Sequence, residues 1–253
     1  MSTVNLILDY FAKLPPELAF FWLLMQNILQ FVLCVGGGIL LLKLFSARRI
    51  YQAPAPLSSG EIWLSIVCVV LNSVVAFAGW YLWKLGIIQI SREVGWYSIV
   101  DVLALLLMMD FLMYATHRVV HLPGIYSWVH RTHHRFEDTR PLSLFVLSPL
   151  EVFGFGALWL IVLSIYKASW LGIVVYLLLN AAFGALGHIG VEPFPSNWLK
   201  IPIISKLTTS TFHAQHHKEI DSNFGFYTDI WDNLFGSIND QYRTTFEKAA
   251  SKR

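Results

Sequence analysis

Residues 97–121 read YSIVDVLALLLMMDFLMYATHRVVH. This run contains neither glycine nor proline, so it is predicted to be one unbroken helix. At 1.5 Å per residue it would be roughly 37 Å long, more than the roughly 30 Å of hydrocarbon in a bilayer. Its last turns should therefore leave the apolar layer carrying His117 and His121.

The rest of the chain fits that reading. Of the 253 residues, 56% are hydrophobic and only 13% are charged, whereas charged residues make up about a quarter of a soluble domain. The sequence describes a membrane protein. The net charge of +2 comes without a basic tract that could follow a phosphate backbone, so no nucleic-acid partner is expected. Cys34 and Cys68 are isolated in apolar runs and offer neither a disulfide framework nor a thiolate metal site. The opening MSTVNLILDYFAKLPPELAF has no basic leader region or small-residue cleavage site, so no removable signal peptide is expected.

Residues 18–42 and 62–83 carry no charged side chain and are long enough to cross as helices. Beyond the third span, VFGFGALWLIVLSIY and ASWLGIVVYLLLNAAFGALG are two apolar halves separated by Lys167, the pattern of a tight transmembrane hairpin. The first half is short unless it includes Glu151. With five crossings, one set of flanks holds 14 lysines and arginines and the other holds 4. The positive-inside rule then places the richer set and the C-terminus in the cytosol.

All nine histidines lie between positions 117 and 217, at or just beyond span ends on that richer side. They form HRVVH (His117, His121), HRTHH (His130, His133, His134), the lone His188 of GHIG, and HAQHH (His213, His216, His217). On a helix, i, i+3 and i+4 share a face. A single HxxxH is weak evidence, since histidines at an interface are common, but three boxes with no histidine elsewhere are a specific pattern. Zinc takes about four ligands and iron up to six, so nine imidazoles suggest two ions. A closed structural zinc site is disfavoured, because no thiolate is available.

Neutral imidazoles do not neutralise divalent ions, so acids are expected nearby. Asp110 is the candidate catalytic acid: it stands seven residues before His117, on the same helical face, in a span where an unpaired carboxylate is costly. Glu151, Asp221, Asp229 and Asp232 are weaker candidates. Most of the aromatic residues, including the WYLW of 80–83 and Trp128, belong at the membrane interface.

In motif order, HRVVH, HRTHH, GHIGVEP, HAQHH and then NFGFYTDIWDNLFGS, residues 97–238 resemble the fatty acid hydroxylase and sterol desaturase superfamily of integral membrane enzymes. The resemblance implies a di-iron centre that activates O2 as co-substrate. It also implies a lipid substrate drawn from the bilayer and hydroxylation or desaturation of a C–H bond. Electrons would come from an external protein of cytochrome b5 or ferredoxin type, since no heme domain is fused here. By the same resemblance the metal ligands are His117, His121, His130, His133, His134, His188, His213, His216 and His217. Many members have His-Pro-x-Glu where this chain reads SPLE, so Ser148 replaces a histidine, and a tenth ligand would be water, Asn180 or an acid.

The predicted architecture is all-α: an integral membrane bundle of about four to five transmembrane helices with a cytosolic helical cap bearing the boxes. It divides into a two-span region (1–96), a catalytic domain (97–238) and a polar, peripheral C-terminal tail (239–253). The endoplasmic reticulum and a bacterial inner membrane are equally compatible locations. The competing functions are a membrane metal transporter and a zinc-dependent membrane hydrolase.

Overall fold

The computed structural model describes residues 3–252. Among them the regular structure is helical, and β pairing is limited to isolated bridges. A short amphipathic helix, α1 (Thr3–Lys13), ends at Leu14-Pro15-Pro16, where proline opens α2 (Pro16–Leu44). Then come α3 (Ser59–Lys84) and α4 (Tyr97–Val120). Two single-turn helices follow, α5 (Tyr126–Val129) and α6 (Arg131–His134). The hairpin is α7 (Pro149–Ile165) and α8 (Trp170–His188). Helices α9 (Ser210–Lys218), α10 (Ile230–Phe235) and α11 (Tyr242–Ala250) complete the fold.

Helices α2, α3, α4 and α8 are each long and apolar enough to cross a membrane, whereas α7 has 17 residues. That makes α7 about 25 Å long, a little short of the hydrocarbon thickness. It does begin before Glu151, as a full crossing would require.

The bundle is held by contacts of α2 with α3, α3 with α7, and α4 with both α7 and α8. Gly156 of α7 lets the backbones approach: a Cβ there would lie 2.7 Å from Val75 of α3. On the face away from the histidines, Asp101 of α4 takes hydrogen bonds from the Tyr166 hydroxyl and the Ser169 amide, each at 2.8 Å, which anchors the turn between α7 and α8. On the same face, Arg92 pairs with Asp9 at 2.7 Å and ties α1 to the loop before α4.

The histidine face collects the end of α2, the start of α3, the end of α4, the start of α7 and the end of α8. A Ser58–Glu61 capping box opens α3. Arg140, in the loop before α7, pairs with the buried Glu61 at 3.2 Å and donates to the Ala55 carbonyl. The alternation of these ends makes the chain run back and forth, so a one-sided collection of histidines follows from connectivity.

The tail departs from expectation. Helix α11 buries Tyr242, Phe246, Ala249 and Ala250, and its aromatic face packs on Phe212 of α9 and Leu199. The apolar residues recur at i, i+4, i+7 and i+8, a helical stripe that the polar composition of the segment conceals. Lys252 Nζ then donates to the Arg49 carbonyl at 2.7 Å.

Phe246 is fully buried, so Phe246→Ala is expected to cost on the order of 3 kcal/mol and to lower the unfolding temperature of the detergent-solubilised protein. A peripheral tail would leave that temperature unchanged.

Candidate metal centre

Four structural units deliver the nine imidazoles. The last turn of α4 carries His117 and its C-cap is His121; the short α5–α6 segment carries His130, His133 and His134; the end of α8 carries His188; α9 carries His213, His216 and His217. They converge into two groups. One is His117, His121, His130, His134 and His216, and the other is His133, His188, His213 and His217. Within each group the ligand atoms lie within 4.8 Å of one another. His121 and His213 are half-buried and the other seven are buried.

The ring orientations are set from outside the centre. Nδ1–H of His117 donates to the Phe224 carbonyl at 2.8 Å, that of His188 to Gly184 at 2.8 Å, that of His216 to Ser222 at 2.6 Å and that of His133 to Val146 at 3.3 Å. His130 Nδ1 lies 2.7 Å from Glu151 Oε1 and donates to that carboxylate.

A neutral imidazole has one ring proton, so the Nε2 atoms of these five rings are left as bare lone pairs. Yet His117 Nε2 lies 3.0 Å from His130 Nε2, and His133 Nε2 lies 3.3 Å from His188 Nε2. His188 Nε2 also lies 3.1 Å from His213 Nε2, which is 3.2 Å from His217 Nε2.

Lone pairs facing one another repel unless a cation lies between them. A proton is a poor candidate. Burial, reinforced by neighbouring His117 and His134, pushes His121 down to about 2, and burial pushes His134 down to about 3. His130, His133, His213, His216 and His217 are likewise driven down, burial first and neighbouring rings second. Both nitrogens of His121 and His134, Nε2 of His216 and Nδ1 of His217 are buried with no hydrogen-bond partner. Buried unsatisfied nitrogens are rare in folded proteins. Two divalent cations, one per group, fit the donor set.

Asp110 was expected beside these rings and lies elsewhere. It accepts from the Tyr227 and Thr228 amides, each at 3.1 Å, from Trp231 Nε1 at 3.0 Å and from the Thr228 hydroxyl. Its carboxylate anchors the 227–231 segment to α4. Glu151, the acid that does touch a boxed ring, starts α7 beneath His130. Ser148 is the N-cap of α7, accepting from the Glu151 amide at 3.2 Å and donating to the Val129 carbonyl at 2.5 Å. Asn180 accepts from the Tyr227 hydroxyl at 2.6 Å.

The segment after the last box supplies carbonyls. Asp232 accepts from the Phe224 and Gly225 amides at 2.8 and 2.7 Å, which fixes the Phe224 carbonyl that holds His117. A Cβ on Gly225 would sit 2.2 Å from the Thr228 oxygen, so only glycine fits there. Asn223 adopts φ 58° and bridges α9 to the chain beyond, donating to the Phe212 carbonyl and accepting from the Asn239 amide. Asn, Gly and Asp of this segment thus shape a loop whose backbone orients His117 and His216.

Glu192, completely buried, does similar work for the other group. It accepts from the Thr211 amide at 3.0 Å and the Thr211 hydroxyl at 2.6 Å, which ties the loop after His188 to the first turn of α9. Burial raises its carboxyl while those donors hold it down. Sequence reasoning noted GHIGVEP without seeing this role. The available signal was a glutamate inside an apolar segment, four residues after a boxed histidine.

The sequence model of the family described as fatty acid hydroxylase matches residues 102–237, more than half of the chain and all nine histidines. The chain belongs to the fatty acid hydroxylase family. Relatives in the family include a rice very-long-chain aldehyde decarbonylase, 32% identical over 51% of this chain and 22% of its own length. A Δ7-sterol 5(6)-desaturase from Leptosphaeria maculans is 25% identical over 60% of the chain and 41% of its own length. A lathosterol oxidase from Rattus norvegicus is 27% identical over 60% and 49% respectively. The chain thus spans less than half of the length of each of these relatives. No solved structure matches it. The family match starts within α4 and stops at Ser237, so α1–α3 and α11 lie outside it.

Two outcomes follow. Glu192→Ala, by freeing the start of α9, is expected to weaken divalent-metal retention about tenfold, while Glu192→Gln, which keeps an acceptor oxygen, retains most of it. Elemental analysis after dialysis against a graded chelator series checks this, and equal retention in the two variants would refute it. Because the folded rings refuse protons that the unfolded chain takes up near pH 6.5, the metal-free protein should hold full stability above about that pH. It should lose stability as the pH falls toward about 3. A thermal midpoint that stays level from about pH 7 to about 4 would contradict the neutral-ring assignment.

Proposed function

We propose that the two histidine groups hold a pair of iron ions and that the protein is a membrane-bound, O2-dependent lipid oxidoreductase. It inserts oxygen into a lipid C–H bond or removes two hydrogens from adjacent carbons. The observation that carries this reading is the apposition of unprotonated ring nitrogens in groups of five and four, a donor set suited to imidazole-loving metals with positions left open for a small ligand.

When bound, iron supplies the activation of O2 needed to break an unreactive C–H bond. Hydroxylation balances as RH + O2 + 2e⁻ + 2H⁺ → ROH + H2O, and desaturation as loss of two hydrogens with two waters formed from O2. Both require two electrons from outside. The likeness to aldehyde decarbonylases, a sterol desaturase and a lathosterol oxidase supports an apolar lipid as the substrate class.

The chain's own residues hold and shield. His117, His133, His188 and His216 are turned inward by carbonyls, and His130 is turned inward by Glu151. Burial of the rings keeps water away from a site that water would quench. Asp110 acts as a positioning residue for the loop that carries Tyr227. By the distribution of lysine and arginine, this side of the membrane is cytosolic, where a cytochrome b5- or ferredoxin-type donor would reach it.

A transporter would place its site at the midplane with a path through, whereas these rings stand at helix ends. A zinc hydrolase would need neither oxygen nor reductant.

Comparing lipids by mass spectrometry in cells expressing the wild type or His216→Ala tests the reading. A species heavier by one oxygen or lighter by two hydrogens should appear with the wild type alone, and the purified protein should carry two irons per chain. Protein that contains only zinc and turns over lipid without air would overturn the proposal.

A further inference from the structure

Beside His121 the structure opens a cleft of about 350 Å³ lined by Arg118, Val119, Leu122, Asp221 and Phe224. His121 itself lines this cleft and belongs to the five-ring group, so the opening leads directly to the candidate metal centre. The cleft also continues a lipid-facing stripe. Leu103, Leu107 and Phe111, spaced by four along α4, are 61%, 63% and 43% exposed, and Val119 and Leu122 prolong the same exposed surface to the rim at 48% and 51%. A lipid tail lying along α4 therefore brings its polar end to the cleft.

The rim carries two opposite charges that do not meet. Arg118 is held in place by donating to the Tyr114 hydroxyl at 3.2 Å and by lying over the Phe224 ring at 5.5 Å, and no carboxylate pairs with it among the described residues. Asp221 is exposed and takes no hydrogen bond or ion pair among those residues. Asp221 lines the cleft together with His121, against whose ring Tyr126 packs with centroids 5.3 Å apart. A pinned guanidinium with free N–H groups suits a phosphate, and a free carboxylate suits an ammonium. Walls of valine, leucine and phenylalanine between them suit glycerol and the first carbons of a chain.

We propose that this cleft is a head-group site for a zwitterionic phospholipid, with the phosphate on Arg118 and the ammonium on Asp221. The inference rests on the proposed oxidoreductase reading and narrows it: the acylated lipid enters with its head fixed at the rim, so the carbons nearest the head stand beside His121. A neutral sterol would leave both rim charges unanswered.

The test uses the purified full-length protein, as metal-loaded and as chelator-stripped samples, with three dioleoyl lipids: phosphatidylcholine, phosphatidic acid and diacylglycerol. Lipids retained by the protein are counted by native mass spectrometry. The wild type should retain phosphatidylcholine about tenfold over diacylglycerol and clearly over phosphatidic acid. Arg118→Ala and Asp221→Ala should each abolish most of that preference, and Arg118→Lys should keep part of it. The thermal unfolding midpoint, measured on the same samples, reports that each variant is folded.

Equal retention of the three lipids overturns the proposal. Stronger retention of phosphatidic acid does so too, by making the rim a simple anion site, as does a preference untouched by both alanine variants. Because lipid retention is also read on the stripped protein, loss of the iron reading leaves this result standing or falling separately.

Discussion

Lone pairs that face each other are the constraint on which this structure turns. Four backbone carbonyls and one carboxylate take the Nδ1 protons of five buried rings, so those rings can only point unprotonated nitrogens at their neighbours. Among the described residues no group lies between those nitrogens to relieve the repulsion, and burial drives away the protons that might. A cation placed between the facing nitrogens of each group would relieve it. The rest of the fold, from the alternation of the apolar helices to the glycine at 225, brings the carbonyls and rings together into the two groups.

The carbonyls explain why so much of the histidine face is irregular. A helix uses its own carbonyls internally, so few can accept from a side chain without losing geometry. Only Gly184 does so from within a helix, bonding to the ring of His188 one turn later. The other acceptors, Val146, Ser222 and Phe224, lie outside the α-helices. These segments have to be held by something else, and buried acids hold several of them. Asp232 takes the amides of 224 and 225, Asp110 those of 227 and 228, and Glu192 that of 211. Each carboxylate is costly to bury alone, and each is accepted because it satisfies several donors at once. These acids shape the frame around the histidine groups, and among the described residues only Glu151 hydrogen-bonds one of the nine rings directly.

Family membership is carried by α4 to α10. Outside that block, α2 and α3 complete the bundle and α11 closes over α9, where Phe246 and Tyr242 back the helix that carries three of the nine histidines. The rim beside His121 carries a guanidinium and a carboxylate among apolar walls.

Sequence alone determined the elements and the ligand types. Apolar runs without charge specify spans because a bilayer offers no other partner for the backbone, and residues 18–42 and 62–83 became α2 and α3 with only small extensions. The histidine boxes were legible because i, i+3 and i+4 spacing is a local property of a helix. Local spacing could not assign rings to groups: His133 and His134 are adjacent yet belong to different ones, and His216 and His217 divide in the same way. That partition depends on how α4, α8 and α9 meet, as does the choice of Glu151 over Asp110 as the acid at a ring. Asp110 has the right helical face, but its carboxylate is captured by amides 117 residues further along the chain. The buried α11 was hidden for the same reason, since four apolar residues in a polar segment become a core only when Phe212 and Leu199 stand opposite them. Periodicity along the chain fixes which face a residue occupies, and only the tertiary fold fixes what that face meets.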